Sequence, residues 1–409
     1  MPITDKLSIN VIDVKDKRVL VRVDVSNDVY IAATLPTIKY LQKQGASGIV
    51  LMSHLGRPNG QVVAEYSLKP VAEKLQKLLE QPVTFLSDCV GAEVESACAN
   101  LTGGQVVLLE NLRFHVEEKG SGKDSDDNTI KADPLKVKEF RESLTKLGDV
   151  YVNDACGTSH NAHSSMVGID LPVRAAGLSM QHELEYFSRV MENPARPYLA
   201  IVGGSKLSDK VELIDGLLDK VDTIIITGDI AYTFLKVLSG MNIGNSAYDH
   251  KGAKSVKKLV IKAKERGVEF VLPVDFMAAD EYSDNSSMLK TVREGIPAGW
   301  KGLDIGPMSI KQYGKLIDQA KTVVWNGAIG AYEHDQFAHG TKRTIDSIVN
   351  ATENGATTII AGSNTVMIAS DCGVIDQFSH VSKGGSASLG LLMGKELPGV
   401  AALSTKKSS

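Results

Sequence analysis

Tyr198-Leu199-Ala200-Ile201-Val202-Gly203-Gly204-Ser205-Lys206 runs five apolar residues into two glycines, a serine and a lysine. A short apolar run bounded by turn residues reads as a strand buried on both faces, as in parallel sheets. Polar groups directly after it fall at the carboxyl end, where open parallel sheets keep their ligands. The arrangement recurs on either side. Residues 19–23, 48–52, 106–109 and 150–152 read as strands upstream, with helical spacing over 34–44, 68–80 and 134–147. Downstream, 223–226, 269–273, 322–325 and 357–360 are again strands separated by helical segments. Strand–helix alternation carried out twice predicts an α/β protein of two doubly wound, Rossmann-like parallel-sheet domains.

At 409 residues the chain exceeds one ordinary core and fits two domains. Prolines 194 and 197 stop a preceding helix, which sets the expected boundaries at 1–192 and 193–396. A hydrophobic content of 43% with 23% charged residues is that of a soluble globular protein. The net charge of −4 gives no global basic field, so nucleic acid is not an expected partner. No apolar run reaches the ~20 residues of a membrane span, and Met1-Pro2-Ile3-Thr4-Asp5-Lys6 carries no signal-peptide core. Cys89, Cys98, Cys156 and Cys372 lack metal-type spacing and read as thiols of a reducing compartment, with the cytoplasm as expected location. Residues 119–133 read as a polar, mobile surface loop.

Generic nucleotide motifs are missing. Gly203-Gly204-Ser205-Lys206 only echoes a P-loop, and no G-x-G-x-x-G follows a strand. A series of landmarks is more specific: Arg22-Val23-Asp24, Ser53-His54-Leu55-Gly56-Arg57-Pro58, Leu109-Glu110-Asn111-Leu112-Arg113 and His160 to Ser165. Gly203-Gly204-Ser205-Lys206 with Asp209-Lys210, Leu272-Pro273-Val274-Asp275, Val324-Trp325-Asn326-Gly327 and Ser379-His380-Val381-Ser382 continue it. In order and number these resemble the phosphoglycerate kinase family over almost the whole chain.

The resemblance implies an N-terminal domain for 3-phosphoglycerate, a C-terminal domain for Mg²⁺ with ADP or ATP, a hinge, and a tail (397–409) returning to the N-terminal domain. It also implies a monomer with small-molecule partners. On the acid side it assigns Asp24 to the substrate hydroxyl and His54, Arg57 and Arg113 to its charges. On the nucleotide side it assigns Gly204, Lys206, Lys210, Asn326, Glu333 and Thr365, with Lys206 and Arg57 acting on the phosphoryl group in transfer. Such a site depends on charge-assisted hydrogen bonds.

Departures from the family pattern cluster where charge is handled. After Asp24 the loop is shortened, and Tyr30 stands where the family has an arginine; Asn161 replaces a second one. Asn364 replaces the aspartate that helps hold Mg²⁺, offering a neutral oxygen to a hard cation. Asp229 puts a carboxylate where the family has glycine, while Lys383 adds a cation. Removing one preorganised donor typically costs on the order of 10²–10³ in rate. The expectation is a family member whose catalytic activity is strongly reduced or lost, acting as a binding or regulatory paralogue. The alternative is a working phosphoglycerate kinase in glycolysis or gluconeogenesis.

Overall fold

The structure is a computed structural model, and it describes residues 3–124, 126–284, 286–290 and 295–406. The chain divides into two compact units, Met1–Glu185 with Glu396–Ser409, and Tyr186–Lys395. The division falls inside the helix Leu178–Met191, upstream of the proline pair.

The first unit is built on a six-stranded parallel sheet. Its order is Val83–Phe85, Gln105–Leu108, Gly48–Met52, Arg18–Arg22, Val150–Asn153, Arg174–Ala176. Strand Gly48–Met52 is buried at every position, as an apolar run covered on both faces must be. Register pairs Arg22 with Met52 on one side and Asn153 on the other. The three central strands therefore end level, and Asp24, His54 and Asp154 follow at one edge. The three-residue strands at 83–85 and 174–176 were not expected, being too short to show a period.

Two local expectations are corrected. The first helix is Asp28–Lys43, not 34–44, because the Asn27 side chain accepts from Tyr30 N (3.1 Å) and caps it early. Tyr30 consequently lies in a helix's first turn. Residues 119–133 are not a loop: Ser121–Lys123 and Thr129–Lys131 form an antiparallel hairpin. The Asp124 carboxylate accepts from Asp126 N and Asn128 N, both at 2.9 Å, so local side-chain bonding closes the turn. Lys123 N donates to Asn59 O (2.8 Å), tying the hairpin to the loop after Arg57. Ser125, within that stretch, lies outside the described residues.

The second unit repeats the plan. Its parallel sheet is ordered Glu269–Val271, Thr223–Ile226, Tyr198–Val202, Thr322–Asn326, Thr357–Ile360, His380–Val381. Trp325, Ile201, Val323 and Ile360 are fully buried in its core. Val202 pairs with both Ile226 and Asn326, so the glycine-bearing loops after three strands again share one edge. An antiparallel sheet of Phe276–Ala279, Met288–Lys290 and Lys301–Ile305 lies outside the repeating pattern. Among the described residues no helix is long and apolar enough to cross a membrane.

The C-terminal segment packs within the first unit. Lys6 Nζ donates to Ala401 O (2.8 Å) and Leu403 O (3.0 Å), and Gly399 N donates to Ser159 O (2.9 Å). Leu397, Val400 and Leu403 are buried. Burial of each such side chain stabilises by about 1.5–3 kcal/mol. Truncation after Lys395 should therefore lower the urea midpoint followed by far-ultraviolet circular dichroism. An unchanged midpoint would show that the segment contributes no stability.

Candidate functional site

At the carboxyl edge of the first sheet lies a cationic cluster organised by a fully buried arginine, Arg22. Its Nε donates to Ser165 Oγ (3.0 Å), and Ser165 Oγ in turn donates to Glu118 Oε1 (2.6 Å). Ser165 N also donates to Glu118 Oε2 (2.9 Å), so the buried ion pair is relayed through one serine. Burial pushes the Glu118 carboxyl up, while Arg22 pulls it back. Arg22 Nη2 donates to His54 Nδ1 at 2.6 Å. A guanidinium has no acceptor, so Nδ1 is the unprotonated nitrogen and the ring proton sits on Nε2. Burial, with Arg22 and Arg113 next, drives the His54 pKa far below its usual value. Burial likewise lowers His163 to about 3.

The sequence candidates on this side fall together around that anchor. Arg113 Nη1 donates to Gly56 O (2.8 Å), Arg57 is exposed, and Asp24 accepts from Ser26 N (3.0 Å). Burial and the neighbouring Arg22 lower Arg113 to about 10, and its Nε is buried with no hydrogen-bond partner. Asn161 Nδ2 lies 3.2 Å from His160 Nε2 and brings no charge. The Tyr30 phenol is held neutral by burial and then by the nearby Asp24 charge. Sequence reading named Arg22, His163 and Ser165 only within landmarks and passed over Glu118. The available signal was a lone arginine inside the apolar run 19–23, which a buried strand carries only when paired.

The second unit holds a cavity of about 750 Å³ at the carboxyl edge of its sheet. Gly204, Lys206, Lys210, Asn326, Glu333, Asn364 and Thr365 all line it. Lys210 Nζ donates to Asn326 Oδ1 (2.5 Å), Asn326 Nδ2 to Ala361 O (2.6 Å), and Gly327 N to Thr365 Oγ1 (2.7 Å). These bonds fasten loops after three different strands to one another. Burial lowers the Lys210 pKa. The loops touch so closely that a Cβ on Gly228 (φ +67°) would sit 2.6 Å from Ala328 O. One on Gly327 (φ +99°) would sit 2.2 Å from Gly203 O. Only glycine fits either position.

Asp229 lines the same cavity, at the first position of the helix Asp229–Ser239. Burial raises its pKa, with Lys301 opposing and Glu333 adding to the rise. Its charge therefore acts at the Lys301–Glu333 end. Tyr282 belongs to that end too: its hydroxyl donates to Glu333 Oε1, and Lys301 Nζ stands 5.3 Å from its ring centre. Sequence reading singled out neither Tyr282 nor Lys301, although a landmark stretch, 295–300, ends directly before Lys301. Lys383 is exposed and is not among the residues lining the cavity.

Two parallel-sheet units, one with a cationic cluster and one with a lysine-bearing, glycine-looped cavity, define a two-domain α/β protein equipped for anionic ligands. The family described as Phosphoglycerate kinase matches residues 9–395. "Phosphoglycerate kinase" of Hypocrea rufa is 56% identical over 99% of this chain and 100% of its own length. That of Yarrowia lipolytica is 56% identical over the whole of both. The solved phosphoglycerate kinase of Coxiella burnetii superposes with a TM-score of 0.85 at 35% identity, covering 97% of this chain and 98% of its own. That of Pyrococcus horikoshii gives 0.74 at 27% identity over the same shares. The chain belongs to the phosphoglycerate kinase family.

The Arg22–His54 bond makes a direct prediction. Nitrogen NMR should find the His54 ring neutral from pH 5 to 8, protonated on Nε2. Arg22→Lys, which cannot hold the same fork, should let the ring titrate and sample the other tautomer. A wild-type ring that gains a proton near its ordinary pKa of ~6.5 would contradict the geometry.

Proposed function

We propose that this chain is a phosphoglycerate kinase of lowered turnover, moving the γ-phosphoryl group of ATP onto the carboxylate of 3-phosphoglycerate and back. One P–O bond to ADP breaks and one to the acid's carboxylate oxygen forms. Full-length identity near 56% with curated phosphoglycerate kinases carries this reading and favours it over complete loss of activity. A role in glycolysis or gluconeogenesis, in the cytoplasm and as a monomer, belongs to the same proposal.

The first unit would take the acid. Arg57 and Arg113 supply charge, His54 offers its Nε2–H, and Asp24 receives the hydroxyl. The second would take the nucleotide in its cavity, with Lys206 and Lys210 toward the phosphates and Glu333 toward the ribose. Mg²⁺ fits as a passenger on the phosphates, which supply most of its ligands. Asn364, exposed on the cavity wall, adds a neutral oxygen there and no charge.

What slows the reaction is the acid side. Tyr30 and Asn161 leave the migrating phosphoryl group without two forks of charged donors. These same residues, with Asn364 and Asp229, favour a second reading: a binding or regulatory paralogue that takes up both ligands without turnover.

A coupled assay on purified protein separates the two. The first reading expects turnover on the order of 10²–10⁴ below the usual 1–100 s⁻¹ of kinases. Asn161→Arg should raise kcat by about 10-fold or more, on the scale of one restored donor. No turnover from protein that binds ADP and 3-phosphoglycerate would leave the second reading. Failure to bind either would sink both.

Asp229 adds a pH signature. Its carboxyl ionises above the usual carboxylate range, so its charge appears as pH rises through that raised value. Calorimetric titration with ADP should therefore show Asp229→Gly binding more tightly than wild type, by a margin that widens from pH 5 to 8. Equal affinities at both pH values would show that Asp229 does not oppose the nucleotide.

A further inference from the structure

The first unit also brings Asp88, Cys89 and His115 together, their ligand atoms all within 4.8 Å of one another. His115 Nε2 lies 2.7 Å from Asp88 Oδ1. Cys89 N donates to the same Asp88 Oδ1 (2.6 Å), which holds the cysteine beside that carboxylate. A sulfur, a ring nitrogen and a carboxylate oxygen thus lie close enough together for a single divalent ion to satisfy all three. Asp88 and Cys89 follow the strand Val83–Phe85, and His115 follows the short turn Leu112–Phe114 that carries Arg113. Both segments are pinned by backbone: Leu86 N donates to Leu108 O (3.0 Å) and His115 N to Leu112 O (3.2 Å).

We propose that Asp88, Cys89 and His115 bind one divalent transition-metal ion of the zinc class. The donor set is one sulfur, one nitrogen and one oxygen. That composition suits zinc, cobalt or copper and disfavours magnesium or calcium, which require oxygen ligands. Three protein ligands leave a fourth position for water, as in open zinc sites. Ligand atoms around tetrahedral zinc stand roughly 3.5 Å apart, given bonds of about 2.0–2.3 Å. The Asp88–His115 pair must open and the other spacings adjust by less than ~1.5 Å, within the reach of side-chain rotation. Asp88 is exposed and His115 partly so, which gives the ion a route from solvent.

Binding exchanges the thiol proton for metal; the carboxylate and thiolate then balance the 2+ charge. Uptake should therefore strengthen as pH rises. An ion there ties the loop after 83–85 to the turn bearing Arg113.

Full-length, tag-free protein stripped with chelator should be titrated with Co²⁺ at pH 8. One equivalent should produce a near-ultraviolet sulfur-to-cobalt charge-transfer band, displaced by Zn²⁺ and not by excess Mg²⁺. Cys89→Ala should abolish the band. His115→Gln, at a partly exposed ring, should weaken cobalt binding by about 10-fold or more, the scale on which even outer-shell changes act. Absence of the band, or its persistence in Cys89→Ala through the part-exposed Cys372, overturns the proposal. Should Cys89→Ala fail to fold, unchanged cobalt affinity in both His115→Gln and Asp88→Asn overturns it equally, and a loss in both supports it.

Discussion

A guanidinium with no solvent contact sets the terms for the cationic cluster of the first unit. Moving an ion of that size out of water costs several kcal/mol even after relaxation, and the cost is offset only by close, well-formed partners. Arg22 finds them in Ser165, His54 and, through Ser165, the buried Glu118. Loss of one member would leave the opposite charge stranded, at about 3–5 kcal/mol. The chain segments carrying these partners are therefore locked to the end of a central strand. His54 inherits a fixed tautomer, and the loop from Ser53 to Pro58 inherits a fixed origin.

The fold was legible because its signal is periodic. Parallel strands buried on both faces appear as apolar runs, and those at 48–52, 198–202, 223–226 and 357–360 stand where the sequence placed them. What escaped was set by interactions without a period. Asn27 begins its helix early through one side-chain oxygen, and Asp124 turns a polar stretch into a hairpin. The cavity lining was legible for Lys206, Lys210, Asn326, Glu333, Asn364 and Thr365, which sit in motifs directly after strands. Tyr282 and Lys301 were not: they arrive from an antiparallel sheet outside the repeating pattern. The Asp88–Cys89–His115 group escaped for the same reason, since His115 is remote in sequence from the adjacent Asp88 and Cys89 and comes near them only where the strands Val83–Phe85 and Gln105–Leu108 pair.

Identity with curated members of the family and the charge substitutions pull in different directions because they sample different residues. Whole-chain identity is dominated by strands, helices and the packing between them. Phosphoryl transfer depends on the few groups that meet developing charge. Tyr30 and Asn161 change almost nothing in a whole-chain comparison, yet under the proposed function they bear on the step where positioned cations matter most. On the proposed reading, lowered turnover reconciles the two: the scaffold would still gather the ligands' charges, with fewer donors to stabilise the transition state.

Packing explains where the second unit can change. Gly228 and Gly327 lie against backbone from neighbouring loops, and a single Cβ would collide with a carbonyl oxygen. Backbone cannot give way there without breaking the bonds that join the loops after strands Tyr198–Val202, Thr322–Asn326 and Thr357–Ile360. Asp229 and Asn364 instead direct side chains toward an open cavity. A substitution there meets solvent or ligand and leaves the fold intact. Stability thus holds the loops in place while leaving the charges that face the ligand free to vary. The protein can keep a kinase's architecture as its chemistry shifts, because the constraint on the backbone and the constraint on the reaction fall on adjacent but different atoms.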